Sequence, residues 1–285
     1  MTKKKILARA ALSLGALTIV AAARPAPPLV DGIRALAVLP GGSVTLDARM
    51  ARSTAGRIAP LGGGRWVWTA PPTPGLYPIR MVAPGGVDSV TLQAFVLVPY
   101  DQLRGEFLNG YRIGRYPRTP PAGFVEVTPE NQDVLVSPHF RLKQFVCKQP
   151  GARKYVVLNE RLFAALELAL ERVNAAGYHA TSFHVMSGYR TPAYNKAIGN
   201  VVFSQHQWGS AADIFIDENG DGRMDDLNGD GRSDLRDAEV LYRIIDAAAA
   251  RPEGQGLIGG IGKYPPTSAH GPFVHVDVRP GHARW

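Results

Sequence analysis

The sequence predicts two folded units in series, a small all-β sandwich followed by a larger α+β domain, behind an N-terminal leader. Three observations carry this. Between Ile33 and Val98, short apolar or alternating runs are separated by Pro- and Gly-rich turns, with no helical period. From Leu158 onward, helical runs mix with short apolar strands without βαβ regularity. The length of 285 residues, 45% of them hydrophobic and 20% charged, supplies enough apolar material for two modest cores.

The leader comes first. Lys3, Lys4, Lys5 and Arg9 precede an apolar run from Ala10 to Ala23 that ends in the small residues Ala21-Ala22-Ala23. A basic segment, a short apolar core and small residues read as a secretory signal peptide over residues 1–23. The run is short for a bilayer span, and Arg24 and a Pro cluster follow it. Cleaved leader or retained anchor, the rest of the chain is expected outside the cytoplasm, in the periplasm or at the cell envelope. The net charge of +8 falls to about +4 without the four leader cations, which is too mild for a nucleic-acid binder. Cys147 is the one cysteine, so no internal disulfide forms, and it reads as a small buried hydrophobe.

The β unit is expected over residues 30–99. Its strands are Ala35 to Leu39, Ser43 to Leu46, Arg65 to Thr69, Tyr77 to Val82 and Val87 to Val98. Pro40-Gly41-Gly42, Gly62-Gly63-Gly64, Pro74-Gly75 and Pro84-Gly85-Gly86 punctuate them. Trp66 and Trp68 alternate with Val67 and give that strand an aromatic, packing face. Residues 100–135, rich in Tyr, Arg, Gly and Pro, read as a junction. The second domain is expected over residues 136–285. Leu158 to Ala176 is a helix closed by Gly177, and Ala238 to Ala250 a second one. Ser182 to Met186, Ala211 to Ile216 and Phe273 to Val278 are strands, and Thr191-Pro192 opens a further helix.

The chemistry concentrates in this second domain. Ser204-Gln-His206-Gln-Trp-Gly209-Ser-Ala-Ala-Asp213 offers an imidazole and a carboxylate, with Gly209 between them to let the chain turn. In the strand Phe273-Val-His275-Val-Asp277-Val, His275 and Asp277 share one face and the valines the other. Two histidines and one carboxylate leave a fourth position open on tetrahedral zinc, as in a catalytic and not a closed structural site.

Three words occur in order: Ser187-Gly-Tyr-Arg-Thr-Pro192, Ser204-x-His206-x-x-Gly209-x-Ala211-x-Asp213 and Val274-His275-Val-Asp277. Together with Ser137-Pro-His-Phe-Arg-Leu142 and Gly259-Gly-Ile-Gly-Lys-Tyr264, they closely resemble the M15 peptidases, the zinc D-Ala-D-Ala carboxypeptidase family, over roughly residues 105–285. The resemblance implies a D-Ala-D-Ala carboxypeptidase-like α+β fold and a Zn2+ cofactor held by His206, Asp213 and His275. It also implies that Arg190 neutralises charge on substrate or a developing oxyanion. Many relatives carry a glutamate three residues before the last ligand, or a histidine two before it, as general base. Here those positions are Pro272 and Phe273. The replacements within reach are His270, on the preceding loop, and Asp277, which could instead orient a ligating imidazole.

Between Asp213 and the last helix, the word D-x-N-x-D-G-x-x-D occurs twice, nine residues apart, within an insertion at 217–237. The first copy is Asp217, Asn219, Asp221 and Asp225; the second is Asp226, Asn228, Asp230 and Asp234, followed by Asp237. Alternating oxygen ligands with Gly at the turn fit a Ca2+ loop. The function expected from all this is hydrolysis of amide bonds in peptidoglycan stem peptides or crosslinks. The alternative is a wall-binding protein that keeps zinc but has lost its base.

Overall fold

The computed structural model describes residues 24–25, 34–82, 85–86 and 89–285. The leader expected over residues 1–23 lies outside them. Among the described residues no helix is long and apolar enough to cross a membrane.

The N-terminal unit holds two four-stranded sheets. One orders Arg24–Pro25, Ser43–Asp47, Arg65–Thr69 and Arg57–Gly62; the other orders Ala35–Val38, Ser89–Val96, Gly75–Val82 and Met50–Ser53. Residues of both sheets, among them Leu46, Trp68, Ile79, Met81 and Leu92, form one buried cluster. Trp68 is fully buried and Trp66 half-buried, and each indole N–H has a carbonyl acceptor, Ala55 at 2.9 Å and Ala48 at 3.0 Å. The aromatic face of this strand is therefore packing surface, with its polar edges satisfied. Besides the two-residue Arg24–Pro25, two strands lie where no strand was expected. Met50–Ser53 lacks an apolar alternation, and Arg57–Gly62 contains Pro60 and runs into the glycine turn. The second sits at a sheet edge, where proline's missing N–H leaves no ladder bond unmade.

The stretch 100–135 is built into the second domain and is not a loose connector. Gly123–Val127 pairs with Lys154–Val156 on one side and Val98–Pro99 on the other. Leu108, Tyr111, Ile113, Phe124 and Val125 join the same core cluster as the helices that follow. Cys147 is buried there as a free thiol.

That core packs helices α1 (Glu160–Ala175) and α3 (Leu235–Ala249), with the short α2 (Pro192–Ala197) between them in the chain, against a five-stranded sheet. The sheet orders His184–Ser187, Ala211–Phe215, Phe273–Asp277, Gly260–Tyr264 and Ala283–Arg284. Ala212, Ile214, Val274, Val276 and Ile261 pack with Phe163, Leu166 and Leu170 of α1 and Leu241 and Ile245 of α3. These residues alternate along their strands, so their neighbours Asp213 and His275 are turned to the opposite face. The site is thus fixed by burying the hydrophobic half of each strand.

Candidate metal centre

Asp213 and His275 are direct cross-strand partners in the antiparallel register, with Ser187 beside Asp213 and Gly262 beside His275. His206 arrives from a 3-10 turn, Gln205–Trp208, which Gly209 closes at φ +62. A Cβ at Gly209 would lie 2.1 Å from the carbonyl oxygen of Val157, so conformation and space both require glycine. The turn folds His206 back onto the sheet.

Three ligand-type atoms converge. His275 Nδ1 lies 2.8 Å from Asp213 Oδ1, His206 Nε2 lies 3.2 Å from that same oxygen, and the two imidazole nitrogens are 3.3 Å apart. Bonds of 2.0–2.1 Å to a tetrahedral ion would put neighbouring ligand atoms about 3.3 Å apart. All three residues are buried, and no other trio of metal-ligating side chains comes as close among the described residues. Donor types, spacing and burial fit a metal ion of the zinc class.

Each imidazole is oriented by its other nitrogen. His206 Nδ1–H donates to the Gly188 carbonyl at 2.6 Å, and His275 Nε2–H donates to Asp277 Oδ2 at 3.1 Å. These bonds fix the tautomers of the neutral rings and turn the second nitrogen of each toward Asp213, where it can take a metal once it carries no proton. Asp213 is held from behind: the Arg190 guanidinium donates to its Oδ2 and also, through Nε, to Ser187 Oγ at 2.8 Å. Burial would raise the Asp213 carboxyl, but the two histidines hold it well below the ordinary carboxylate range. Burial lowers His206, against a weaker pull from Asp213, so that ring is kept neutral. His275 is raised instead, because Asp213 and Asp277 outweigh its desolvation.

The other sequence candidates separate here. Arg190 is engaged with a ligand carboxylate, so its cation is already part of the site's own electrostatics. Asp277 is fully buried and accepts from Gly260 N–H, Arg279 N–H, the Arg279 guanidinium and His275. Burial would raise its pKa, yet His275 and Arg279 hold it low. Of the two roles open to it, orienting the imidazole is the one the geometry supports, and proton transfer is not. His270 is not brought into the group. Its Nδ1 sits 2.8 Å from the Gly271 carbonyl oxygen, and its ring meets Phe273 edge-on at 5.0 Å. Phe273 is itself stacked on Tyr264 at 4.6 Å, which anchors this end of the strand.

In the 217–237 insertion the repeat is visible as geometry. Asp217 accepts from Gly222 N–H and Asp226 from Gly231 N–H, each five residues on, while Asn219 and Asn228 accept from Asp221 and Asp230. The carboxylates turn to their own backbone, and Asp225 accepts from Glu218 N–H. Asp234 and Asp237 form the capping box of α3, and Asp237 also accepts from Leu227 and Asn228. The last two acids of the expected calcium set are thus used to start a helix and tie down the loop.

A family model described as Peptidase M15 matches residues 138–227, which include Arg190, His206 and Asp213. His275 lies beyond the matched stretch and joins it through the sheet. No curated protein matches the chain.

Proposed function

We propose, from the match of residues 138–227 to the Peptidase M15 family model, that the chain is a zinc-dependent peptidase of the cell envelope. Its substrates would be amide bonds in peptidoglycan stem peptides or crosslinks, cut as a D,D-carboxypeptidase or an endopeptidase. The observation that carries this is the convergence of two oriented imidazoles and one buried carboxylate on a single point. Zinc bound there would supply a Lewis acid that activates water and polarises the scissile carbonyl.

The remaining work falls to the chain's own groups. Gly188 and Asp277 hold the imidazoles in ligating tautomers, and Arg190 fixes Asp213 so that one oxygen faces both rings. The permanent Arg190 cation also sets a positive field for a substrate carboxylate or developing oxyanion. With Asp277 committed to its donors, the remaining candidate for the proton step is His270, which stands outside the converging trio and would have to reach the substrate from the loop before the strand. His270→Ala would then lower kcat on the order of 10²-fold with KM and zinc content unchanged. An unchanged kcat removes His270 from the mechanism.

Incubating the purified protein with muropeptides, followed by mass analysis of the products, tests the reading. Cleavage abolished by a chelator and by Asp213→Ala supports it. Binding without cleavage supports the second reading, a wall-binding protein, which Pro272 and Phe273 at the family's base positions favour.

Two further parts belong to the proposal. The N-terminal pair of sheets acts as a β-sandwich that positions the enzyme or shields its cleft. The 217–237 repeat binds calcium and braces the strand bearing Asp213, supported by the twice-repeated Asp-to-Gly turn; thermal stability and activity both unchanged on calcium withdrawal, with zinc retained, would rule that out.

A further inference from the structure

One row of residues crosses the five-stranded sheet: Ser187, Asp213, His275 and Gly262. The parallel pairing of Ala283–Arg284 with Gly260–Ile261 carries this row on to Trp285. Its backbone is pinned, with Trp285 N–H donating to Ile261 at 3.2 Å and Lys263 N–H donating to the Trp285 carbonyl at 3.1 Å. The indole fills the space that Gly262 leaves, for a Cβ there would lie 2.3 Å from Trp285 Nε1. The ring therefore stands on the site face of the sheet, 5.3 Å from the His275 ring between centroids. Its N–H donates to the Tyr264 hydroxyl at 2.6 Å, and the Arg279 guanidinium lies 5.1 Å from its centroid.

Every anchor of this residue is satisfied, yet it remains 43% exposed. An aromatic ring stabilises a fold by hiding its area, and this one leaves a large part uncovered beside a ligating histidine. A rigid apolar surface at the edge of a reactive centre is suited to contact with a ligand, because little conformational entropy is lost when it is used.

The geometry points to Trp285 as a substrate-positioning and specificity residue. Its exposed face is the apolar wall against which the substrate residue at the scissile amide packs. It favours a compact uncharged side chain, of the alanine kind, over a charged one that would lose hydration there. This deepens, and rests on, the peptidase reading.

The test uses the full zinc-loaded chain and two synthetic stem pentapeptides, one ending in D-alanyl-D-alanine and one in D-alanyl-D-aspartate. Trp285→Ala is expected to raise KM for the first by about tenfold with kcat within about twofold, and to narrow the preference over the second. Trp285→Phe, which keeps a flat ring, restores most of the KM, and zinc content is the same in all three proteins. An unchanged KM overturns the assignment. So does loss of zinc with KM unchanged, which would make the indole a brace for His275. A second readout does not need turnover: the indole N–H signal of Trp285, identified by its loss in Trp285→Phe, shifts on titration with the D-alanyl-D-alanine peptide. A shift without cleavage by the wild type keeps Trp285 as a binding wall and removes the peptidase reading. No shift overturns the proposal whether or not cleavage occurs.

Discussion

At the scale of single residues, the site depends on groups that never touch the metal position. Asp277 fixes the tautomer of His275, so Asp277→Asn is expected to weaken zinc binding by about 10- to 100-fold, read by competition with a chromophoric chelator, while the fold is kept. Affinity within twofold of wild type would show that His275 needs no such partner. Gly209→Ala meets both a positive φ and the Val157 carbonyl oxygen, so a loss of more than about 1 kcal/mol is expected in chemical denaturation, with reduced zinc retention. The three converging residues were legible in the sequence chiefly through the words around them, Ser204-x-His206-x-x-Gly209-x-Ala211-x-Asp213 and Val274-His275-Val-Asp277, because residue types and spacing alone are a moderate signal. Their supports were not. Gly188's carbonyl and the Arg190–Asp213 contact depend on backbone paths that only the folded sheet defines, and the role of Asp277 was left open between two chemistries. What decided it was the saturation of its oxygens by Gly260, Arg279 and His275.

At the scale of elements, the strands and helices that carry the site follow their hydrophobic periods closely. Helix α1 runs Glu160–Ala175 where Leu158 to Ala176 was expected, with Asn159 as its cap. Helix α3 begins at Leu235, three residues before the expected start. The reason is instructive: Asp234 and Asp237 read as calcium ligands, and the same two acids form the capping box that starts the helix. One residue type serves both purposes, and spacing alone does not separate them. Met50–Ser53 and Arg57–Gly62 were illegible because their ladders are set by neighbours across the sheet, not by a local alternation. Leu166 lies in α1 facing the back of the ligand strands. Leu166→Ala is therefore expected to cost about 2–5 kcal/mol in denaturant unfolding. A cost below about 1 kcal/mol would mean that α1 does not set the sheet's position.

At the scale of the whole molecule, the two units share interior. Ala35, Phe95, Leu97 and Val98 of the N-terminal unit belong to the core cluster of the second domain, and Arg34 N–H donates to the Val136 carbonyl at 3.1 Å. The composition and turn pattern marked a boundary near residue 99, but they could not reveal that the strands on either side of it continue into one core. Phe95→Ala is expected to destabilise the chain by about 3–5 kcal/mol and to lower the melting temperature of the domain bearing the metal centre. Melting of that domain at an unchanged temperature would show that the units are independent. Above all, the molecule brings Asp213, within the family-matched stretch, against His275, outside it, and folds His206 onto both. The most direct test of this arrangement is the zinc stoichiometry of the purified chain after exhaustive dialysis. The prediction is one tightly held zinc per chain, lost alike in His206→Ala, Asp213→Ala and His275→Ala variants that remain folded by circular dichroism. Zinc absent from the wild type, or retained in the His275→Ala protein, would contradict it.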